Sequence, residues 1–483
     1  PMYGVLTTDA IRTPAIMTDP EDVVPGYIAV KKAVEEQRPH ALFPAKHHAI
    51  IEDHMTLKYA QLNTPTTVVK SCRSLHEAIY GNPIVPNFES IYLSTSVGYP
   101  LSLHYNSKRD LISPDRIDPL LLDMLDLHEK YRRKGVVPET IWQSVMKDEK
   151  LPFEKQTRPR LINASPVEFT IASRRYFIDF FLAVTANRIK MPCTVGINPM
   201  SGEWSVLCSE LLKTGQKICC GDFSKFGPRL GSTLIDTNKK IILRWYERFA
   251  KHCPTLREDQ KIRSMLFLEI NNSVQVAGDQ LYQSLCGSPS GFTGTVVQNS
   301  LAAEQYIKYA WLGIMDETKF EGLVNFDKNV KLFTYGDDVI FSISDDISEL
   351  FNSQTVSAYF AKFDIKFTDI TKNGTIRKYC SIDDATFLKC NFRICEDDKK
   401  FRISAIEKTV LEDSINWYRN TQFVEPIMKQ ICDSVIIQSA GWGRAYFESN
   451  RRKLIDYWES VDSSYTPKTY EEVLTKTYGI NMG

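Results

Sequence analysis

With 483 residues, 43% hydrophobic and 24% charged, the chain is long enough for a sizeable core and too long for one compact unit, so two or three subdomains are expected. Lys+Arg and Asp+Glu both number 59, so net charge does not announce a polyanion binder and any such role rests on local clusters. The 11 cysteines hold no CxxC pair and the 8 histidines no zinc spacing, which reads as reduced thiols in a cytosolic protein rather than a disulfide framework.

The chain opens at Pro1 without a methionine, consistent with release from a longer precursor or with trimming; the sequence leaves both open. Its first third is punctuated by Pro14, Pro20, Pro25, Pro39, Pro44, Pro83, Pro86 and Pro100 and reads as short segments joined by loops. "RIDPLLLDMLDLHEKYRRK" (116–134) places leucines at helical spacing and ends in a basic turn. "RRYFIDFFLAV" from Arg174 is the most apolar stretch, too short to span a bilayer, and reads as a core helix. "KICCGDFSKF" from Lys217 predicts a buried strand breaking into a turn, followed by an amphipathic helix over "STLIDTNKKIILRWYERFA". The longest helical pattern, "TGTVVQNSLAAEQYIKYAWLGI" from Thr293, follows a glycine-containing loop. "LFTYGDDVIFSI" (332–343) predicts a hairpin with Gly336 and Asp337 at the bend. A helix over "SAYFAKFDI", a hairpin strand at "ATFLKCNFRI" and a helical tail from about residue 404 complete the chain.

Two adjacent carboxylates inside an apolar run need a compensating cation or access to water. A turn between buried strands lifts Asp337 to the sheet edge, and Asp222 ends the strand "KICCGD". Carboxylates on neighbouring strand ends could hold two Mg²⁺ ions about 3.5–4 Å apart, as in-line phosphoryl or nucleotidyl transfer requires. A Gly-Asp hairpin turn alone is common and carries little weight. In "CGSPSGFTGT" (286–295) small residues permit close backbone approach, and Ser288, Ser290, Thr293 and Thr295 offer hydroxyls. Asn299 stands one helical turn beyond Thr295 on the same face. Such a loop reads sugar hydroxyls or merely caps a helix. "KDEKLPFEKQTRPR" supplies Lys147, Lys150, Lys155, Arg158 and Arg160, which suit phosphates or, more blandly, form a solvated charge run.

Taken in order, these features resemble the RNA-dependent RNA polymerases of picornavirus-like (Picornavirales) positive-strand RNA viruses. "STSVGYP" (Ser94–Pro100) is similar to the loop that admits the template, and "KDEK…RPRLINAS" to the nucleotide-channel motif of the fingers. "GDFSKF" resembles the first metal motif, "GSPSGFTGTVVQNS" the second motif and "YGDD" the third. "FTDITKNG" resembles the fourth, with Lys372 at the general-acid position, and "ATFLKCNFR" the fifth, which supports the primer. The resemblance spans about residues 94–393. It implies an α+β right-hand fold: fingers at 1–200 and 230–275, palm at 201–229 and 276–385, thumb at 386–483. It further implies Mg²⁺ ions (Mn²⁺ as a substitute) on Asp222, Asp337 and Asp338. NTP contacts would come from Lys147, Lys155, Arg158, Arg160, Ser290, Gly291, Thr295 and Asn299. RNA contacts would come from Thr95, Ser96, Gly98, Tyr99, Pro100, Phe387, Leu388 and Lys389. Template and primer RNA, a genome-linked protein primer and replication complexes in the host cytoplasm are the implied partners and location.

One departure stands out. Where the family usually carries a second aspartate, five residues after Asp222, this chain has Gly227 followed by Pro228. That points towards an insect iflavirus or dicistrovirus type. Pro228 disfavours the α region at Gly227 and predicts a rigid backbone without a side chain to read a 2′-hydroxyl. Two rivals are a reverse transcriptase, which shares the Tyr-x-Asp-Asp turn but not this glycine loop, and an inactive RNA-binding homologue, which would lack the acids.

Overall fold

The computed structural model describes residues 2–16, 31, 34–35, 37–66, 68–157, 159–369, 371, 374–418 and 422–480. At its centre lies an antiparallel sheet of β1 (Lys217–Phe223), β2 (Val330–Tyr335), β3 (Asp338–Ile343) and β4 (Phe367–Asp369), in the order β2-β3-β1-β4. β1 and β3 are the inner pair, which is why both are continuous apolar runs rather than alternating ones. Successive side chains leave opposite faces of the sheet. Cys219, Val339 and Phe341 enter the core shared with helix α1 (Thr295–Ile314), through Leu301 and Tyr306 among others. Ile218, Cys220, Phe333 and Ile340 enter a second core with Trp204, Leu207 and Leu211 of helix Gly202–Thr214.

The expected hairpin is present, with Tyr335 paired to Asp338 and only Gly336 and Asp337 between them. Gly336 has φ +62°, the left-handed value demanded of the first loop residue in a two-residue hairpin. The leucine-rich helix runs over Pro119–Lys134. Asp118 caps its N-terminus by accepting from the Leu120 N–H, proline takes the first position, and Gly135 closes it in the left-handed conformation.

The fifth motif forms strands Thr386–Phe387 and Cys390–Ile394, joined to Arg402–Ile406 in a three-stranded sheet. The tail helices Val424–Ser439 and Arg444–Ser460 enclose a separate core around Met428, Cys432, Leu454 and Trp458. Met2 from the chain's start is buried in that same core. Thr13–Pro14 then pairs antiparallel with Lys150–Leu151, so residues 2–16 tie the tail helices to the basic loop. None of the described helices is long and apolar enough to cross a membrane.

Candidate active site

The sheet register brings the acids together. Asp338 lies directly opposite Asp222 on the adjoining strand, and Thr368 of β4 flanks Asp222 from the other side. Asp337 is exposed at the turn, whereas Asp222 and Asp338 are partly buried. Burial pushes the Asp338 carboxyl up to about 7; the Leu388 N–H opposes this, and the negative charges of Asp222 and Asp337 add to it. The Leu388 N–H donates to Asp338 Oδ2 at 2.7 Å. Leu388 and Lys389 form the turn between the strands Thr386–Phe387 and Cys390–Ile394, with φ of +52° and +61°, an uncommon conformation for side-chain-bearing residues. The Gly336–Asp337 turn is held from behind, because the Gly336 N–H donates to Ser300 Oγ at 2.8 Å and Thr334 Oγ1 donates to the Ser300 carbonyl at 3.0 Å.

Arg160 faces this centre. Its guanidinium is held by the Glu149 carboxylate, with Nε 2.9 Å from Oε2 and Nη2 also bonded to Oε2. Those bonds raise the Arg160 pKa, and the charge of Asp337 adds to the effect, so turn and basic loop share one electrostatic field. The Lys147 N–H donates to the Arg160 carbonyl at 2.8 Å, which closes the loop's base. Lys155 is exposed in a single 3₁₀ turn, Phe153–Lys155. Arg158 and Lys372 lie outside the described residues.

The glycine loop is docked on two partners. The Gly291 N–H donates to the Asn163 carbonyl at 2.9 Å, and the Asn163 N–H donates to Ser290 Oγ at 2.9 Å. A Cβ at Gly291 would meet the Asn163 oxygen at 2.2 Å, so only glycine allows this approach. On the other side, the Ser288 N–H donates to the Gly227 carbonyl at 3.0 Å. Thr295 Oγ1 donates to the carbonyls of Pro289 and Phe292, tying the loop to the start of α1. Gly227 and Pro228 sit in one helical turn, Phe226–Arg229. This corrects the expected avoidance of the α region: lacking a Cβ, Gly227 escapes most of the clash that proline imposes on its predecessor. A Cβ at Gly227 would find only Asn299 Nδ2, at 3.9 Å, and Asn299 Oδ1 is buried without a partner.

The loop at 94–100 is pinned by Lys108, whose ammonium donates to Thr95 Oγ1 and the Ser96 carbonyl, both at 2.6 Å. Burial pulls the Lys108 pKa down to about 8. Gly98 packs against the Ser165 carbonyl, and Tyr99 and Pro100 follow on the partly exposed side. Phe387 does not meet the expectation of an RNA contact, since its side chain is fully buried and stacks on Trp204 at 6.3 Å. Alternation along the strand turns it into the core. Sequence reasoning missed Ser300 and Glu149; the first lay in a quoted motif, and the second was hidden in a charge run.

Among the described residues, no three His, Cys, Asp or Glu side chains converge as a metal-binding group. The donor set nonetheless fits a hard divalent cation, being carboxylate oxygens only. Burial, with the negative charges of Asp222 and Asp337 adding to it, holds Asp338 towards its protonated form, and a cation beside it would reverse that.

A family model described as "Viral RNA-dependent RNA polymerase" matches residues 17–462. The chain belongs to this viral polymerase family. It is 30% identical to the genome polyprotein of Deformed wing virus over 98% of the chain, and 25% identical to the replicase polyprotein of Acute bee paralysis virus over 84%. The chain spans 17% and 21% of those polyproteins. Among solved structures it is similar to the Sicinivirus 3Dpol RNA dependent RNA polymerase. That match has a TM-score of 0.77 and 19% identity, and covers 98% of this chain and 94% of the other. The fold is therefore the α+β right hand of that viral polymerase.

Proposed function

We propose that this chain extends an RNA primer on an RNA template by nucleotidyl transfer from NTPs. The observation that carries the reading is the cross-strand pair Asp222–Asp338, with Asp337 at the turn and Arg160 facing it. The primer 3′-hydroxyl attacks the NTP α-phosphate and pyrophosphate leaves. Asp222, Asp337 and Asp338 would hold two Mg²⁺ ions, or Mn²⁺ in their place, which lower the pKa of the attacking hydroxyl and offset the developing charge. Arg160, Lys147, Lys155 and Arg158 orient the triphosphate, and Lys372 protonates the leaving pyrophosphate. Ser290 and Gly291 shape the sugar site together with Thr295, and Asn299 reads the ribose across the space that Gly227 leaves open.

In this reading residues 1–200 and 230–275 are fingers, 201–229 and 276–385 palm, and 386–483 thumb. Thr95, Ser96, Gly98, Tyr99 and Pro100 guide the template, while Leu388 and Lys389 support the primer strand. A genome-linked protein primer and replication complexes in the host cytoplasm complete the proposal. The test is primer extension on an RNA template, with and without Mg²⁺, using NTPs or dNTPs. Metal-dependent extension with NTPs is expected. Equal or better use of dNTPs would favour a reverse transcriptase, and no extension by folded protein would leave an RNA-binding homologue.

A further inference from the structure

One buried carboxylate away from the reacting centre joins the start of the chain to its tail. Asp413 ends the helix Lys408–Asp413, and its side chain is fully buried. Oδ2 accepts from Arg12 Nε at 3.0 Å, and Oδ1 accepts from Trp417 Nε1 at 3.1 Å. Both donors lead to the basic loop by separate routes. Arg12 precedes the strand Thr13–Pro14, which pairs with Lys150–Leu151. Along that route the Ala15 N–H donates to the Glu149 carbonyl at 2.9 Å, and Gln156 Nε2 donates to Thr13 Oγ1 at 3.1 Å. The second route is shorter: the Lys150 ammonium sits 4.8 Å from the centre of the Trp417 ring. Glu149, fixed between these anchors, is the residue whose carboxylate holds Arg160.

Beyond its base, closed by the Lys147–Arg160 backbone bond beside the Met146–Leu161 strand pair, the loop has little else to place it. Among its described residues from 147 to 160, Pro159 alone is buried, and Phe153 is 58% exposed. A segment with so few apolar contacts takes its position from its polar anchors. We infer that Asp413 is a positioning residue for nucleotide binding, a thumb carboxylate that sets the presentation of Arg160 through the segment 12–16 and through Trp417–Lys150. This rests on the proposed role of Arg160 at the triphosphate. Among the described residues, removing Arg12 leaves the buried Asp413 side chain with the Trp417 indole N–H, a poor state for a buried charge. The segment 12–16 then loses its nearest tie to the thumb, with Met2 in the tail core still holding the start of the chain.

The test measures NTP KM and kcat, with thermal melting, for the full chain carrying Asp413→Asn, Arg12→Ala, Arg12→Lys or Arg160→Ala. Asp413→Asn and Arg12→Ala are expected to raise the NTP KM about tenfold, the scale of one charge-assisted hydrogen bond, while kcat at saturation changes little. Arg12→Lys restores most of the affinity because the cation still reaches Asp413. The double variant Arg12→Ala/Asp413→Asn is no worse than either single change, as expected for one shared interaction. Should Asp413→Asn fail to fold, Arg12→Ala decides, since Arg12 is partly exposed. An unchanged KM in folded Arg12→Ala overturns the inference, as does an equal loss in Arg12→Lys. If Arg160→Ala itself leaves the KM unchanged, the assignment of Arg160 to the triphosphate falls, and this inference falls with it.

Discussion

The strand ends carrying Asp222 and Asp338 and the loop carrying Arg160 face the same site, yet they are held in opposite ways. β1 and β3 pair residue for residue over six positions, from Asp338–Asp222 to Ile343–Lys217, with a core on each face. A one-residue slip would turn every one of those side chains to the other face, so the register of the acids is strongly specified. The basic loop has a two-residue strand, a 3₁₀ turn and one buried proline. Its order comes from ion pairs and a borrowed strand. Rigid acids suit a centre that must keep its geometry at every turnover, and a loosely anchored cation loop suits a substrate that must arrive and a product that must leave.

Changes on the rigid side should therefore cost turnover, and changes on the loop side should cost affinity. The largest effect belongs to Asp337→Asn. The residue is exposed at a turn, so the fold should survive, as circular dichroism can check. Loss of one preorganised electrostatic group costs at least ~10³-fold in kcat. Activity within tenfold of the unaltered chain would break the metal assignment of the turn.

On the loop side, Arg160→Ala should raise the NTP KM by roughly 10- to 100-fold, the range for hydrogen bonds to charged groups. Its kcat should fall by much less. A fall confined to kcat would show that the loop acts in the transition state and would erase the contrast with the sheet.

The two regions also differ in how far they could be read beforehand. Apolar flanks on both sides of Gly336–Asp337 leave a hairpin as the economical reading, and the structure has it. On sequence alone Asp337 is expected beside Asp222, whereas Asp338 is the residue directly opposite it; register between distant strands depends on every intervening connection. The order of motifs supplied what periodicity could not. The loop's real anchors were invisible: Glu149 looked like one more charge in a mixed run, and the strand at Thr13 has its partner at Leu151, far along the chain. Leu388 and Lys389 take left-handed turn positions without the glycine or asparagine that would signal them. Phe387 was misplaced because a two-residue strand has too little alternation to reveal its inward face.

Asn299 stands between the two regions, on a rigid helix but facing the open space at Gly227. Asn299→Ala should lower the kcat/KM preference for ATP over dATP by up to ~10-fold, one hydrogen bond's worth, with a smaller change in ATP turnover. An unchanged ratio removes it from ribose reading and leaves it as packing within α1.

A last test concerns a third environment, the helix-packed interior, where Glu168 Oε2 has neither solvent nor a hydrogen-bond partner. Glu168 is buried beneath the helix Pro119–Lys134, 4.0 Å from His128, and neither Glu168 Oε2 nor His128 Nδ1 has a hydrogen-bond partner. Burial pushes the Glu168 carboxyl up to about 7, and burial with the Arg132 charge pulls His128 down to about 4. The pair is thus neutral rather than an ion pair across mildly acidic pH. Between the unfolded carboxyl value of 4.5 and 7, the folded chain holds a proton on Glu168 that the unfolded chain has lost, so stability falls as pH rises. Between 4 and 6.5 the unfolded chain holds the extra proton on His128, so stability rises with pH. The two slopes oppose each other over their shared window, and above it only the cost of ionising Glu168 remains. Glu168→Gln should leave the urea midpoint nearly unchanged at pH 4.5 and raise it at pH 8, through a gain in unfolding free energy of up to ~3 kcal/mol. A variant with the same midpoint as the parent at pH 8 would mean that water or Arg132 already stabilises the ionised carboxylate. The interior under this helix would then be as forgiving as the loop surface.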